Sequence, residues 1–152
     1  MRFEFHAEAV ARGIPLHITV LFPFVSRVDV PDRALEELCS SFAPLAFSLT
    51  RLSEFPDVVY AVPEPDDELL ALIRAVHERF PDTPPYEGAF QDVVPHATLA
   101  EGVPRETVER RCASLLPLAC HADEVTLLVE RAPDRWSEAR RFPLSGAGNA
   151  RP

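Results

Sequence analysis

Leu16-His17-Ile18-Thr19-Val20-Leu21 and Pro95-His96-Ala97-Thr98-Leu99-Ala100 decide how this chain is read. Each carries His-x-Thr followed by an apolar residue. On a β-strand, residues i and i+2 point to one face. Read as strands, both stretches set a histidine beside a threonine and turn their apolar neighbours the other way. The strand rise separates the paired Cα atoms by about 7 Å, so the two side chains can converge on one small anion. Two such pairs can grip a single phosphate from two sides.

The repetition is informative because the residues are scarce. Five histidines and six threonines in 152 residues produce two His-x-Thr matches by composition alone on the order of one time in a hundred. A single His-x-Thr is ordinarily a strand histidine bonded to its neighbour; two in matched contexts point to chemistry. A histidine titrating near its unperturbed value of about 6.5 accepts or donates a proton at neutral pH. One as base and one as acid suit in-line displacement at phosphorus, and each such role contributes about 10²–10⁴-fold. The threonine hydroxyls of Thr19 and Thr98 can donate to non-bridging oxygens. This chemistry needs no metal or other cofactor, and the sequence lacks the clustered carboxylates of a two-metal site.

Outward from the motifs, the chain reads as alternating helices and hairpins. Ala7–Arg12 is helix-compatible and ends at Gly13. Leu16–Phe22 reads as a strand. A helix is expected over 32–43, from Ala34, Leu35, Leu38 and Phe42, with Asp32 as its cap. Leu45–Phe55 and Val58–Val62 flank Pro56-Asp57 as a hairpin. Leu69, Leu70, Ile73, Val76, His77 and Phe80 give a helical face that Asp66 or Asp67 can cap and Pro81 ends. Residues 84–88 form a loop, Val94–Glu101 a strand, and Pro104 opens a helix to about Leu116. Glu124–Glu130 and Trp136–Phe142 pair across Ala132-Pro133-Asp134-Arg135. The expected organisation is one α+β domain over residues 1–144 with antiparallel sheets, followed by a mobile tail over 145–152.

Composition narrows the classes. The chain is 47% hydrophobic and 26% charged, as in ordinary globular proteins. No apolar run approaches the roughly 20 residues of a membrane span, and the N-terminus lacks the apolar core of a secretory signal. The net charge of -9 argues against a surface that coats long RNA or DNA, which carries a basic stripe, but leaves room for a small nucleotide. Cys39, Cys112 and Cys120 match no zinc spacing and read as reduced thiols of a cytoplasmic protein. The five glycines form neither a dinucleotide fingerprint nor a P-loop. His6, His77 and His121 read as packing or incidental residues and Trp136 as packed in the core or on the sheet. Tyr60, Tyr86, Phe22 and Phe24 include plausible base-stacking partners, although aromatic residues near strands usually pack inside.

Gly13-Ile14-Pro15-Leu16-His17-Ile18-Thr19-Val20-Leu21-Phe22-Pro23-Phe24 and Asp92-Val93-Val94-Pro95-His96-Ala97-Thr98-Leu99-Ala100 resemble the two signatures of the 2H phosphoesterase superfamily. The nearest branch is the bacterial, LigT-like "2′-5′ RNA ligase family". Phe55-Pro56-Asp57-Val58-Val59-Tyr60 and Arg135-Trp136 through Phe142-Pro143-Leu144 look familial too, so the likeness spans roughly residues 7–144. The resemblance implies a bilobal, pseudo-two-fold α+β fold whose two antiparallel sheets flank a central cleft, with helices outside. It implies metal-independent chemistry on 2′,3′-cyclic or 2′-5′ phosphodiesters of nucleotides or RNA ends. His17 and His96 would be the acid and base, and Thr19 and Thr98 the phosphate binders. The alternatives are a nucleotide-binding module without turnover and a 2′-5′ RNA ligase.

Two departures stand out. Family members usually begin with a strand well before the first motif, whereas the residues before His17 hold little strand pattern, so the expectation is that either the chain starts late or that lobe lacks a strand. Some relatives carry a basic residue after the second motif, where this chain has Glu101. A carboxylate in the cleft would repel an RNA backbone, which favours hydrolysis of a small cyclic phosphate over ligation.

Overall fold

The computed structural model describes residues 12–25, 29–88 and 93–147. Among them run α1 (Asp32–Ser40), β1 (Leu45–Phe55), β2 (Val58–Glu64), α2 (Asp67–Arg79), a 3₁₀ turn at Pro85–Gly88, β3 (Ala97–Glu101), α3 (Arg105–Cys112), a second 3₁₀ turn at Ala113–Leu115, β4 (Leu118–Ala122), β5 (Glu124–Ala132) and β6 (Arg135–Pro143). The strands form two antiparallel sheets, a four-stranded one in the order β3-β2-β1-β4 and the β5-β6 hairpin. This is the α+β arrangement with antiparallel sheets that the sequence implies. No helix among the described residues is long and apolar enough to cross a membrane.

The hairpins follow from their turns. β1 and β2 close across Pro56-Asp57, with Asp57 at φ 61, a left-handed conformation that Asp tolerates better than most residues. Asp134, at φ 58, does the same between β5 and β6. Bulges explain the burial pattern. β1 buries Leu45 and Leu49, then slips register between Leu49 and Arg51 and buries Leu52. β3 slips opposite Val59 and Tyr60, so Leu99 and Ala100 are both buried. A bulge sets two residues against one and bends the strand.

Two apolar clusters hold the molecule. The first joins Leu35 and Cys39 of α1, Leu69, Leu72, Ile73 and Val76 of α2, Leu45, Phe142 and Leu144. The second joins Leu49 and Leu52 of β1, Val59 and Ala61 of β2, Ala97, Leu99 and Ala100 of β3, and Val108 and Cys112 of α3. Ile18 and Phe47 pack against both. Arg140 of β6 reaches Asp32 at 2.6 Å and also Glu36, docking α1 on the hairpin.

Several expectations are corrected. Residues 16–22 form no strand; they run as an irregular arm. β3 begins at Ala97 rather than Val94, so His96 stands one residue outside the ladder. Leu118–Ala122 is a strand that the sequence reading left out, and it pairs with the first half of β1. α1 ends at Ser40, and Asp32 is its first residue, not its cap. Asp66 occupies the cap position of α2 without a side-chain capping bond. α3 gives way to a 3₁₀ turn after Cys112, and residues 85–88 are a 3₁₀ turn rather than open loop. Of the tail, residues 145–147 are described, and the Gly146 N–H donates to the Phe42 carbonyl at 2.9 Å. The helix expected at Ala7–Arg12 lies almost wholly outside the described residues, as does His6.

Candidate active site

His96 sits at the mouth of β3. The burial pattern of β3 puts Ala97 and Leu99 into the second core and leaves Thr98 half-buried on the other side, the side that His96 shares by the two-residue period. Its imidazole Nδ1–H donates to the Val94 carbonyl at 2.7 Å. The ring meets Phe55 edge-on at 5.1 Å and Tyr60 edge-on at 5.3 Å, and those two rings stack on each other at 4.4 Å. Tyr60 is buried and lies opposite Thr98 in the ladder. His96 is therefore oriented by one hydrogen bond and two aromatic walls.

His17 is oriented by the same kind of bond in a different setting. Its Nδ1–H donates to the Pro15 carbonyl at 2.8 Å, and its Nε2 lies 3.2 Å from the Thr19 hydroxyl. A carbonyl only accepts, so in both histidines Nδ1 carries a proton, and whenever the ring is neutral Nε2 is the nitrogen left with a lone pair. The threonine hydroxyl then donates to the Nε2 of His17.

The arm that carries His17 is tied down from three directions. Trp136 donates its backbone N–H to the Arg12 carbonyl at 2.7 Å, and Tyr86 donates its own to the Phe22 carbonyl at 2.7 Å. The Nε2–H of His77, on α2, donates to the Val20 carbonyl at 2.9 Å. Ile18, Val20, Leu21 and Phe24 pack against the first core. Gly13 turns the chain at φ +84, and a Cβ there would stand 2.1 Å from the Trp136 carbonyl oxygen, so only glycine lets the two backbones come this close.

The structure thus joins His17 to Thr19 directly and sets His96 and Thr98 on one side of β3. Ile18, between His17 and Thr19, packs against the buried cluster to which Ala97 and Leu99 of β3 belong. Two open surface hollows, one beside Pro31, Ala34 and Arg79 and one beside Thr50, Ser53 and Arg105, hold none of these four residues.

The other candidates separate by burial. Phe22 and Tyr86 are exposed and tilted against each other at 6.4 Å, with Trp136 edge-on to Phe22 at 6.2 Å. Phe24 packs edge-on against Phe80 at 5.1 Å. Glu101 pairs with Val58 at the far end of β3, about 16 Å from His96 along the strand. Cys39 and Cys112 are buried, and burial pushes the Cys39 thiol from its ordinary 9.0 up to about 11, which is the opposite of a reactive thiolate. His121 is exposed on β4. The sequence reading missed the anchoring bond of His77. The available signal was its place four residues beyond Ile73, at the margin of the buried face of α2.

Comparison with known proteins bears on the family and the fold. The family model described as the 2′-5′ RNA ligase superfamily matches residues 1–134. TT0787 of Thermus thermophilus superposes with a TM-score of 0.65 at 19% identity, covering 93% of this chain and 92% of its own. E. coli LigT, solved in complex with 3′-AMP, superposes with a TM-score of 0.60 at 18% identity, covering 86% of this chain and 77% of its own. In its complex with NADP+ the same protein gives 0.57 at 18% identity, over 86% and 76%. At these identities the likeness is one of fold. No curated protein matches the chain.

Proposed function

The chain belongs to the 2′-5′ RNA ligase superfamily, and from that premise we propose that it is a metal-independent phosphoesterase that opens 2′,3′-cyclic phosphates or 2′-5′ phosphodiesters of nucleotides or RNA ends, with His17 and His96 as acid and base. The observation that carries this reading is the matched pair of bonds from each Nδ1–H to the carbonyl two residues earlier. They occupy the Nδ1 of each ring and leave its Nε2 for proton exchange, as base where the ring is neutral and as acid where it is protonated.

On a cyclic phosphate, one Nε2 takes a proton from water as the water oxygen bonds to phosphorus. The P–O bond to one ribose oxygen breaks, and the protonated ring opposite supplies that oxygen with its proton. The Thr19 hydroxyl leaves the Nε2 of His17 for a non-bridging oxygen when substrate arrives, and Thr98 donates to another. Both hydroxyls then act where negative charge gathers. The exposed Phe22 and Tyr86 rings offer an apolar face to a base, in keeping with the nucleotide ligands of LigT. The net charge of -9 favours a small substrate over a long RNA backbone and hydrolysis over ligation of RNA fragments.

The test is turnover of 2′,3′-cyclic nucleotides in EDTA. His17→Ala and His96→Ala are each expected to lower kcat by about 10²–10⁴-fold. Equal product from wild type and both variants would overturn the assignment. Saturable binding of 3′-AMP without turnover by the wild type would make the protein a binding module.

A further inference from the structure

We infer that His77 is a positioning residue for the His17–Thr19 pair, acting through the backbone carbonyl of Val20; the inference rests on reading that pair as half of the reacting site. The arm over residues 16–22 lies outside both sheets, so the ladder that aligns a strand elsewhere does not align it. A backbone group in a packed segment needs a partner. The partner of the Val20 carbonyl is the imidazole Nε2–H of His77, 2.9 Å away and 57 residues further along the chain.

The placement is specific. Val76, beside His77, is buried in the first core, and so is Ile73, one turn earlier on α2. His77 itself is half-buried at the edge of that face, where its ring can leave the core and meet the arm. Val20 is one residue from Thr19 and three from His17, and its side chain packs on the same core. The other two backbone ties, at Arg12 and Phe22, clamp the ends of the segment. The tie from His77 holds its middle, next to the threonine. Among these three anchors it is the one made by a side chain, so it can be removed by a substitution outside the arm.

A misplacement of about 1 Å in a reacting group can lower a rate by about 10²-fold. His77→Phe keeps an aromatic ring of similar size and removes the donor. It is expected to lower kcat on a 2′,3′-cyclic nucleotide by about 10–100-fold, with KM changed less than threefold and the melting temperature close to wild type. His77→Gln restores an N–H donor and is expected to recover most of kcat. In NMR spectra, the Phe variant should shift the His17 ring resonances and speed amide exchange over residues 19–21, while the His96 ring resonances stay in place.

Unchanged His17 resonances and unchanged kcat in the Phe variant would overturn the inference. So would equal losses in the Phe and Gln variants together with a general fall in melting temperature, because His77 would then serve packing alone. The spectra separate this inference from the reaction itself. If His17→Ala leaves turnover intact, the reading of the pair as catalytic fails, and the response of the His17 ring to His77→Phe still decides whether His77 sets its position.

Discussion

The two histidines rest on opposite kinds of support. His96 enters a strand of a four-stranded sheet, over a core where Leu99, Ala100 and Val108 are fully buried, and Phe55 and Tyr60 wall its ring. His17 rides an arm with no ladder, held by backbone ties at Arg12 and Phe22 and by the imidazole of His77. Yet each ring makes the same bond to the carbonyl two residues behind it. The same local hydrogen bond can therefore be set in place by two routes. Cooperative sheet structure fixes one side, and a few separate hydrogen bonds fix the other. The second route concentrates the consequences of any change in a handful of atoms.

The sharpest way to break this comparison is to remove each ring. If the two sites are matched in role, His17→Ala and His96→Ala fall by the same order in kcat despite their different surroundings, about 10²–10⁴-fold. A large loss from one and none from the other would make the pair unequal partners. Truncating the supports should then tell the halves apart. Leu99→Ala empties a fully buried site and is expected to cost about 2–5 kcal/mol of global stability by urea denaturation. Val20→Ala, under the half-packed arm, is expected to cost about 1 kcal/mol or less. Similar losses would mean that the arm belongs to the same cooperative unit as the sheet.

Gly13→Ala tests the hinge of the arm. A left-handed φ costs an L-residue about 1–2 kcal/mol, and the new Cβ would press on the Trp136 carbonyl oxygen. Amide exchange at Trp136 should quicken, while the amides of β2 and β3 keep their protection. The smallest expected effect is at Arg140, whose ion pairs with Asp32 and Glu36 are partly exposed. Arg140→Ala is expected to lower stability by about 1 kcal/mol or less, and less still in high salt.

How much of this was legible in the sequence varied with how local each cause is. The β1–β2 and β5–β6 hairpins follow from turn residues that fold the chain back on itself, and α2 follows from its apolar face. Both signals lie within a few residues. The irregular arm was not legible, because Leu16–Phe22 has a strand's composition and strand formation depends on a partner that composition does not reveal. β4 was missed for the converse reason. Leu118-Ala119-Cys120-His121-Ala122 has weak alternation and becomes a strand by pairing with Leu45–Leu49 of β1. The four residues of the candidate site were legible as a repeat. Their differing supports were not, since Tyr60 and Phe55 reach His96, and His77 reaches Val20, only once distant segments pack together.

The carbonyl bonds behind His17 and His96 have a consequence for engineering. Each runs over three residues, from Pro15 to His17 and from Val94 to His96, so the partner of Nδ1 travels with its own short peptide. Such a segment behaves as a portable cassette. A graft into another scaffold would need only to keep that local backbone and to bring two copies face to face, without importing a distant residue to choose the tautomer. The harder requirement in such a transplant would be the spacing between the two copies, which no short peptide carries.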